Sequence, residues 1–347
     1  MSAAVVEGVE RAVFGPLARG EVDAWLDGHV ETGLGSRIAE VLLRAGRISA
    51  VYGLRLHDGR EVAVKVHRLG ADLVHLRLAA RAQRVLAEHG YPCPLPLHGP
   101  VLRDGRAVVV ETLLRRGRTA DATLPAVRTA LAVSLAEQVE VLRAVPAEPL
   151  RPGAPAWARY EGGPWPAPHD PLFDFGDRSP RADRVDALAA RAAAVLREAS
   201  GADVAGHSDW YDGNVLVEDR AGDRGEDGAG NRGEDGPRVS AAFDWDSLTA
   251  RPEAELVGMS AGSHTAGGPA NAVSPAVEQV AAFLDDYERA RSRPFSARQR
   301  AAAAAAACWV LTYNARCDLC FLPADAEAPP GSALAAVETA GPAYLRL

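Results

Sequence analysis

Lysine is almost missing from this 347-residue chain: Lys65 is the only one, and every other basic side chain is arginine. A coding bias toward arginine and alanine accounts for the depletion but not for the exception. Either one lysine survived by chance, or one position tolerates only a compact ammonium that a planar guanidinium cannot imitate. Cysteine is scarce as well. Cys93, Cys308, Cys317 and Cys320 in a chain this long do not make the disulfide framework of a small secreted domain, and free thiols are expected. An excess of positive charge is also lacking: 38 basic against 46 acidic side chains give a formal charge of −8. That is the wrong sign for neutralising phosphate backbones, so nucleic acid is not an expected partner; the acidic balance instead favours cationic ligands. Long apolar runs are missing too. Residues 1–16 carry Glu7 and Glu10 and no signal-peptide core. The alanine-rich stretch 301–311 is too short to span a bilayer and runs into Asn314, Arg316 and Asp318. A cytoplasmic protein without a membrane partner is expected.

What is present can build a core. Hydrophobic residues make up 48% of the chain and charged residues 24%, the composition of a globular protein. A single core stops growing near about 250–300 residues, so either two lobes or one large α/β domain fits the length.

The first forty residues read as helical, with Val5, Val9, Val13 and Leu17 at i+4 spacing. The runs 39–45, 50–56 and 61–68 are then short, rich in Val and Leu, and separated by 46–49 and by His57-Asp58-Gly59, which predicts a three-stranded meander. A helix over 72–88 follows, stopped by Gly90 and the prolines Pro92, Pro94 and Pro96. Residues 99–112 form a further hairpin around Asp104-Gly105. Together these predict an N-terminal lobe over 1–112: a helical leader, a five-stranded antiparallel sheet and one helix. The rest, 113–347, reads as a mainly helical lobe, with helices over 124–145, 181–200 (Ser179 as N-cap, Pro180 at N1), 276–291 behind Ser274-Pro275, and 296–319. Only two strands are expected there, 214–217 and 239–243, and 151–177 reads as a loop. Residues 218–238 repeat Arg-Gly-Glu-Asp-Gly without apolar anchors and read as a disordered hairpin extension.

The stretch from His207 to Asn214 (HSDWYDGN) carries the most chemistry. Read as a loop after a helix and before a strand, it places Asp209 and Asn214 five residues apart. In a kinase-type loop such an Asp accepts the hydroxyl proton and such an Asn ligates Mg²⁺. A second carboxylate for the metal is expected at the end of the pairing strand, where Asp244 and Asp246 stand in Phe-Asp-Trp-Asp. Asp244 follows Asp209 at a long distance, and the repeat in 218–238 accounts for the excess. The third element is Lys65, in the strand Val62-Ala-Val-Lys-Val66, with Val64 and Val66 on the opposite face. Taken alone, H-x-D-x-x-x-x-N is also compatible with a hydrogen-bonded turn.

In this order the three elements resemble the aminoglycoside phosphotransferase family, the small-molecule branch of the protein-kinase-like fold, over roughly residues 30–320. The resemblance implies an α+β, two-lobed fold with ATP in the cleft. It implies Lys65 on the phosphates, Asp209 as catalytic base, Asn214 and Asp244 on magnesium, and His207 supporting the loop. By position, Gly46 to Ser49 would cover the phosphates, and the backbone of Val110, Glu111, Thr112 and Leu113 would bond adenine. The expected activity is ATP- and Mg-dependent phosphorylation of a hydroxyl on a small polar molecule, first of all an aminoglycoside-like antibiotic or amino sugar, with antibiotic resistance as the biological reading. A choline-, homoserine- or sugar-kinase-like enzyme, or a catalytically weak nucleotide-binding protein, are the alternatives.

The chain departs from the pattern in two places. The helix after the lysine strand has Ala79 where kinases carry the acid that pairs with the lysine, and Glu88 is too far along it. No G-x-G-x-x-G covers the strands, and Gly33-Leu-Gly35 is a lone fragment. Asp246 fits a second metal ligand or a cap equally. Other strings fail on context: Asp174-Phe175-Gly176 precedes the loop, Gly206-His-Ser208 lacks the closing glycine of a nucleophile elbow, and Cys317-x-x-Cys320 lacks further ligands. Glu253, Glu255, Asp285, Asp286, Glu288 and Asp318 are either substrate carboxylates for a polyamine or solvated helix faces. Trp157, Trp165 and Trp210 are candidates for a sugar or ring site.

Overall fold

Alternating Val and Leu runs closed by Asp-Gly turns build the sheet of the first of two units. The computed structural model describes residues 3–161, 165–199, 201–219, 236–263, 273–291, 293–323 and 325–347. It divides the chain into Met1–Arg115 and Arg116–Leu347.

In the first unit the expected leader is two helices, α1 (Ala3–Phe14) and α2 (Arg19–Leu34). The chain breaks between them at Gly15, which takes a φ of 74°, and at Pro16. Gly35 ends α2 in the left-handed conformation with its N–H on the Glu31 carbonyl, so the Gly33-Leu-Gly35 fragment is a helix stop. Then come β1 (Ile38–Ala45), β2 (Ala50–Leu56), β3 (Glu61–Leu69), α3 (Leu73–Glu88), β4 (Pro96–Arg103) and β5 (Arg106–Thr112). The five strands form one antiparallel sheet in the order β1-β2-β3-β5-β4. Asp104 and Gly105 join β4 to β5 with φ of 49° and 76°, the doubly positive turn that suits the strand twist. Asp72 caps α3 by accepting from the N–H groups of Val74 and His75.

The period of two divides this sheet cleanly. Val62, Val64, Val66, Val108 and Val110 point to one face and bury themselves against Val13, Phe14, Val22, Leu26 and Val30 of the two leading helices. Burying each such side chain stabilises by about 1.5–3 kcal/mol. Lys65 and its odd-numbered neighbours therefore face the other way.

The second unit contains β6 (Arg118–Thr119), α4 (Pro125–Leu142), α5 (Pro180–Glu198), β7 (Asp203–His207), β8 (Val215–Asp219), β9 (Pro237–Ala242), β10 (Leu248–Pro252), α6 (Glu253–Ser263), α7 (Val277–Ala290), α8 (Ala297–Leu319) and α9 (Ala333–Tyr344). Ser179 caps α5 as expected, and Ser296 caps α8. Helix α7 instead begins at Ala276, whose N–H is taken by the Gln279 side chain, so Ser274 is not its cap. Five elements go beyond the expectation of two strands and four helices: β6, β7, β10, α6 and α9. β7 pairs antiparallel with β10, and β8 lies between β6 and β9. The ladder joining β8 to β9 runs out to Asp219 opposite Pro237, and the repeat at 220–235 lies outside the described residues.

The alanine run belongs to a helix contact. Ala302 to Ala307 are buried in α8, and a Cβ on Gly258 or Gly262 of α6 would collide with the carbonyls of Ala303 and Ala307. Small residues on both sides let these two helices touch backbone to backbone. Among the described residues no helix is long and apolar enough to cross a membrane.

Candidate active site

His207 to Asn214 is held as a loop between two strands and does not follow the expected helix directly, because β7 intervenes. His207 is the last residue of β7, and Asn214 directly precedes β8. The fully buried His207 ring is the fastener. Its Nε2 lies 2.8 Å from the Phe243 carbonyl, which can only accept, so Nε2 carries the hydrogen. Nδ1 then accepts the Asp209 backbone N–H at 3.2 Å. The Ser247 hydroxyl stands 3.0 Å from Nδ1 and 2.9 Å from the Asp244 carbonyl, within reach of both. One imidazole thus ties together the start of the loop, the end of β9 and the turn that follows it. Trp210 and Trp245 meet it edge-on, with ring centroids 5.7 and 5.1 Å away.

Within the loop the Asn214 side-chain N–H₂ donates to the Asp209 carbonyl at 2.9 Å and to the Asp209 carboxylate at 3.1 Å. Spending the amide nitrogen on Asp209 leaves Asn214 Oδ1 as its oxygen donor. The Asn214 carbonyl accepts from Phe243 N–H at 2.9 Å, so Asp244 is one residue beyond the partner of Asn214. Asp244 has a φ of 68°, left-handed backbone that non-glycine residues rarely adopt; such strain is held only where surrounding bonds fix it. Here the Ser247 N–H and hydroxyl both reach its carbonyl. Asp246 sits half-buried in the 3₁₀ turn Trp245–Ser247. The structure therefore gathers His207, Asp209, Asn214 and Asp244 around one fold of chain.

Two members of this network carry no sequence signal. Ser247 is an ordinary serine after Asp246, and Gln138 comes from α4, its Oε1 3.4 Å from the His207 N–H.

The remaining predicted residues stand on the first unit. Lys65 lies on β3 opposite Val51 of β2 and Val109 of β5. Gly46 has a φ of 126°, and a Cβ there would collide with the Ser49 carbonyl. Ser49 does not present its hydroxyl outward: it is buried, with Oγ 3.1 Å from Nδ1 of His67. Val110 and Glu111 are paired on both sides within the sheet. The N–H groups of Thr112 and Leu113 donate to the carbonyls of Leu95 and Glu61. These amides are engaged in the unit's own ladder, and a base-bonding N–H would have to lie beyond Leu113.

All six acidic candidates have partners within the protein, and Asp285 is the exposed one among them. Glu253 bonds Arg143, Arg291 and the Tyr287 hydroxyl. Asp285 and Glu288 share Arg300. Asp286 takes Arg128 and Thr129, and Asp318 accepts the Leu334 N–H. Glu255 is buried and accepts the Tyr160 hydroxyl, and burial pushes its carboxyl up to about 7. Trp210 is core, its Nε1–H on the Leu131 carbonyl. Trp157 donates to the Ser208 carbonyl, next to Asp209, at 3.1 Å. From Trp157 a row of rings runs outward through His169, Phe173 and Phe321, with centroids 5.4, 4.9 and 5.5 Å apart; Phe321 is 65% exposed. Trp165 donates to Asp186. The Asp174 carboxylate caps its own turn through Gly176 N–H, its carbonyl takes the Cys320 thiol, and burial raises both Cys317 and Cys320 thiols. Among the described residues no three His, Cys, Asp or Glu side chains group as a metal cage.

Residues 41–302 match the model of the phosphotransferase enzyme family, APH. The chain belongs to that family. Among solved structures it is similar to an amicoumacin kinase in complex with AMP-PNP and Ca²⁺, with 13% identity, coverage of 89% of this chain and 92% of that one, and a TM-score of 0.58. It is also similar to a candidate aminoglycoside phosphotransferase from Ralstonia eutropha JMP134 (15% identity, 94% and 96% covered, TM-score 0.51). A third is a candidate fructosamine-3-kinase from Thermobifida fusca YX-ER1 (17%, 93% and 99%, TM-score 0.50). No curated protein sequence matches. These likenesses show the fold, an α+β protein-kinase-like one, and the family membership makes the chain a phosphotransferase.

Proposed function

We propose that this phosphotransferase moves the γ-phosphoryl group of ATP, with Mg²⁺, to a hydroxyl of a small molecule. The observation that carries the reading is the Asn214 bridge, because it fixes the Asp209 carboxylate in the loop while turning an amide oxygen away from it. Asp209 orients the acceptor hydroxyl and takes its proton as the oxygen attacks the γ-phosphorus; ADP leaves with the β–γ bridging oxygen. Asn214 holds the rotamer of that base. His207 is a positioning residue that keeps the loop and the Asp244 turn in one register. Lys65 binds the α- and β-phosphates as a point charge. The donor set suits a hard cation: an amide oxygen from Asn214 and a carboxylate from Asp244, with Asp246 as a second carboxylate. Magnesium, when bound, supplies charge neutralisation at the β- and γ-phosphate oxygens. A magnesium site of this kind takes one or two side-chain oxygens and completes its shell with phosphates and water, so it needs no cage of three acids.

An aminoglycoside or amino sugar remains the reading that the resemblance favours. A second reading of the acceptor has a specific observation behind it: the candidate carboxylates are engaged by the protein's own arginines, hydroxyls or backbone N–H groups, whereas the row of rings starts beside Asp209. An acceptor with a flat apolar face fits that row better than a polycation does.

Magnesium-dependent ADP release should be followed with an aminoglycoside, an amino sugar, a macrolide, a choline-like alcohol and homoserine. The expected result is release that rises well above the acceptor-free rate with one of these classes. ATP that binds tightly while every acceptor leaves the rate flat would overturn the reading in favour of a nucleotide-binding protein.

A further inference from the structure

We propose that Glu111, at the end of β5, is the carboxylate that holds Lys65 in place, in the position that an acid on α3 would otherwise fill. The proposal rests on the reading of Lys65 as the phosphate-binding lysine. Lys65 is opposite Val109, and Ala63 is opposite Glu111. Residues 63, 65, 109 and 111 therefore share the sheet face turned away from the valine core. Glu111 is the diagonal cross-strand neighbour of Lys65, a separation of roughly 7–8 Å between backbones that long side chains span.

Helix α3 contributes to this pair without supplying an acid. Gln83, buried in α3, donates its side-chain N–H₂ to the Glu111 carboxylate and to the Pro94 carbonyl, each at 2.8 Å. Ala79 lies one turn earlier on the same buried stripe, which explains why the place of the helix acid can be apolar. The amide on the helix aims a carboxylate that comes from the sheet. Opposite charges at diagonal cross-strand positions attract, and the lysine is the diagonal neighbour of this half-buried carboxylate.

Because Lys65 is the only lysine, the full chain labelled with ¹³C-lysine gives one side-chain signal, which reports this ammonium without any assay of activity. Glu111→Gln keeps an oxygen for the Gln83 amide and removes only the charge. The expected result is a titration of Lys65 displaced to lower pH by about one unit, a nucleotide KM raised about tenfold and an acceptor KM unchanged. Glu111→Asp should retain part of both effects of the charge. A Lys65 signal that titrates identically in wild type and Glu111→Gln overturns the proposal. The two readings fail separately. If Glu111→Gln leaves Lys65 unmoved while Asp209→Asn abolishes turnover, only the pairing is wrong. If Lys65 moves but Asp209→Asn turns over normally, the pair stands and the phosphoryl-transfer site is wrong.

Discussion

Two buried histidines do the same job in the two units at very different scale. In the first, His67 bonds Ser49 and pins one turn of one hairpin. In the second, His207 joins the Phe243 carbonyl, the Asp209 N–H and Ser247, groups drawn from stretches of chain some forty residues apart. The comparison teaches that a fastener matters in proportion to how many otherwise independent segments meet at it. The hairpin turn would keep its strand ladder without His67, whereas the loop has little ladder of its own to fall back on.

The sharpest way to break that comparison is His207→Ala. It removes a fully buried ring and leaves a part-buried carbonyl and N–H without it, so the expected loss is about 3 kcal/mol of stability and at least a hundredfold in kcat, read from urea unfolding and steady-state kinetics. A loss no larger than that of Ser49→Ala would put the two histidines on a par.

Two kinds of carboxyl should also answer pH with opposite signs, and the second unit holds both, since arginine partners lower Glu218 and Glu338 there too. Arginine partners lower the carboxyls of Asp27, Asp58 and Glu61 in the first unit. Such groups lend stability above their unfolded values and lose it as pH falls. Glu255 in the second unit is raised to about 7, chiefly by burial. The folded state therefore holds a proton that the unfolded state releases near pH 4.5, and stability falls as pH rises from about 4.5 to 7. Glu255→Gln keeps an acceptor for the Tyr160 hydroxyl. It should stabilise the protein relative to wild type by about 2 kcal/mol at pH 8 and by nearly nothing at pH 4.5, measured by denaturant unfolding at both values. The smallest effect is expected from Ser49→Ala. Loss of one hydrogen bond costs about 1 kcal/mol, and loosening the turn should raise the nucleotide KM a few fold while leaving the acceptor KM alone.

The same contrast decides what the sequence made legible. β2 and β3 follow from a period of two and an Asp-Gly turn, both local signals, and α5 and α8 from serine caps. β7 and β10 are five residues each and pair across more than forty positions, so no neighbouring residue announces either strand. Helix α6 is buried on nearly every side and shows no amphipathic stripe, so its period is hidden. At the site, Asp209 and Asn214 were readable because one loop carries both. Ser247 and Gln138 were not, nor was the side-chain role proposed for Glu111, which the sequence offered only through its backbone, because such roles depend on register and packing between elements. Ser49 closes the turn expected to cover the phosphates, and its hydroxyl turns inward to His67, a direction that only the β3 ladder determines.

The most direct test of the account is the turnover of Asp209→Asn measured beside its affinity for the magnesium nucleotide. The account predicts that kcat falls by at least a thousandfold while nucleotide binding stays within a few fold of wild type; a variant that transfers phosphate at the wild-type rate would contradict it.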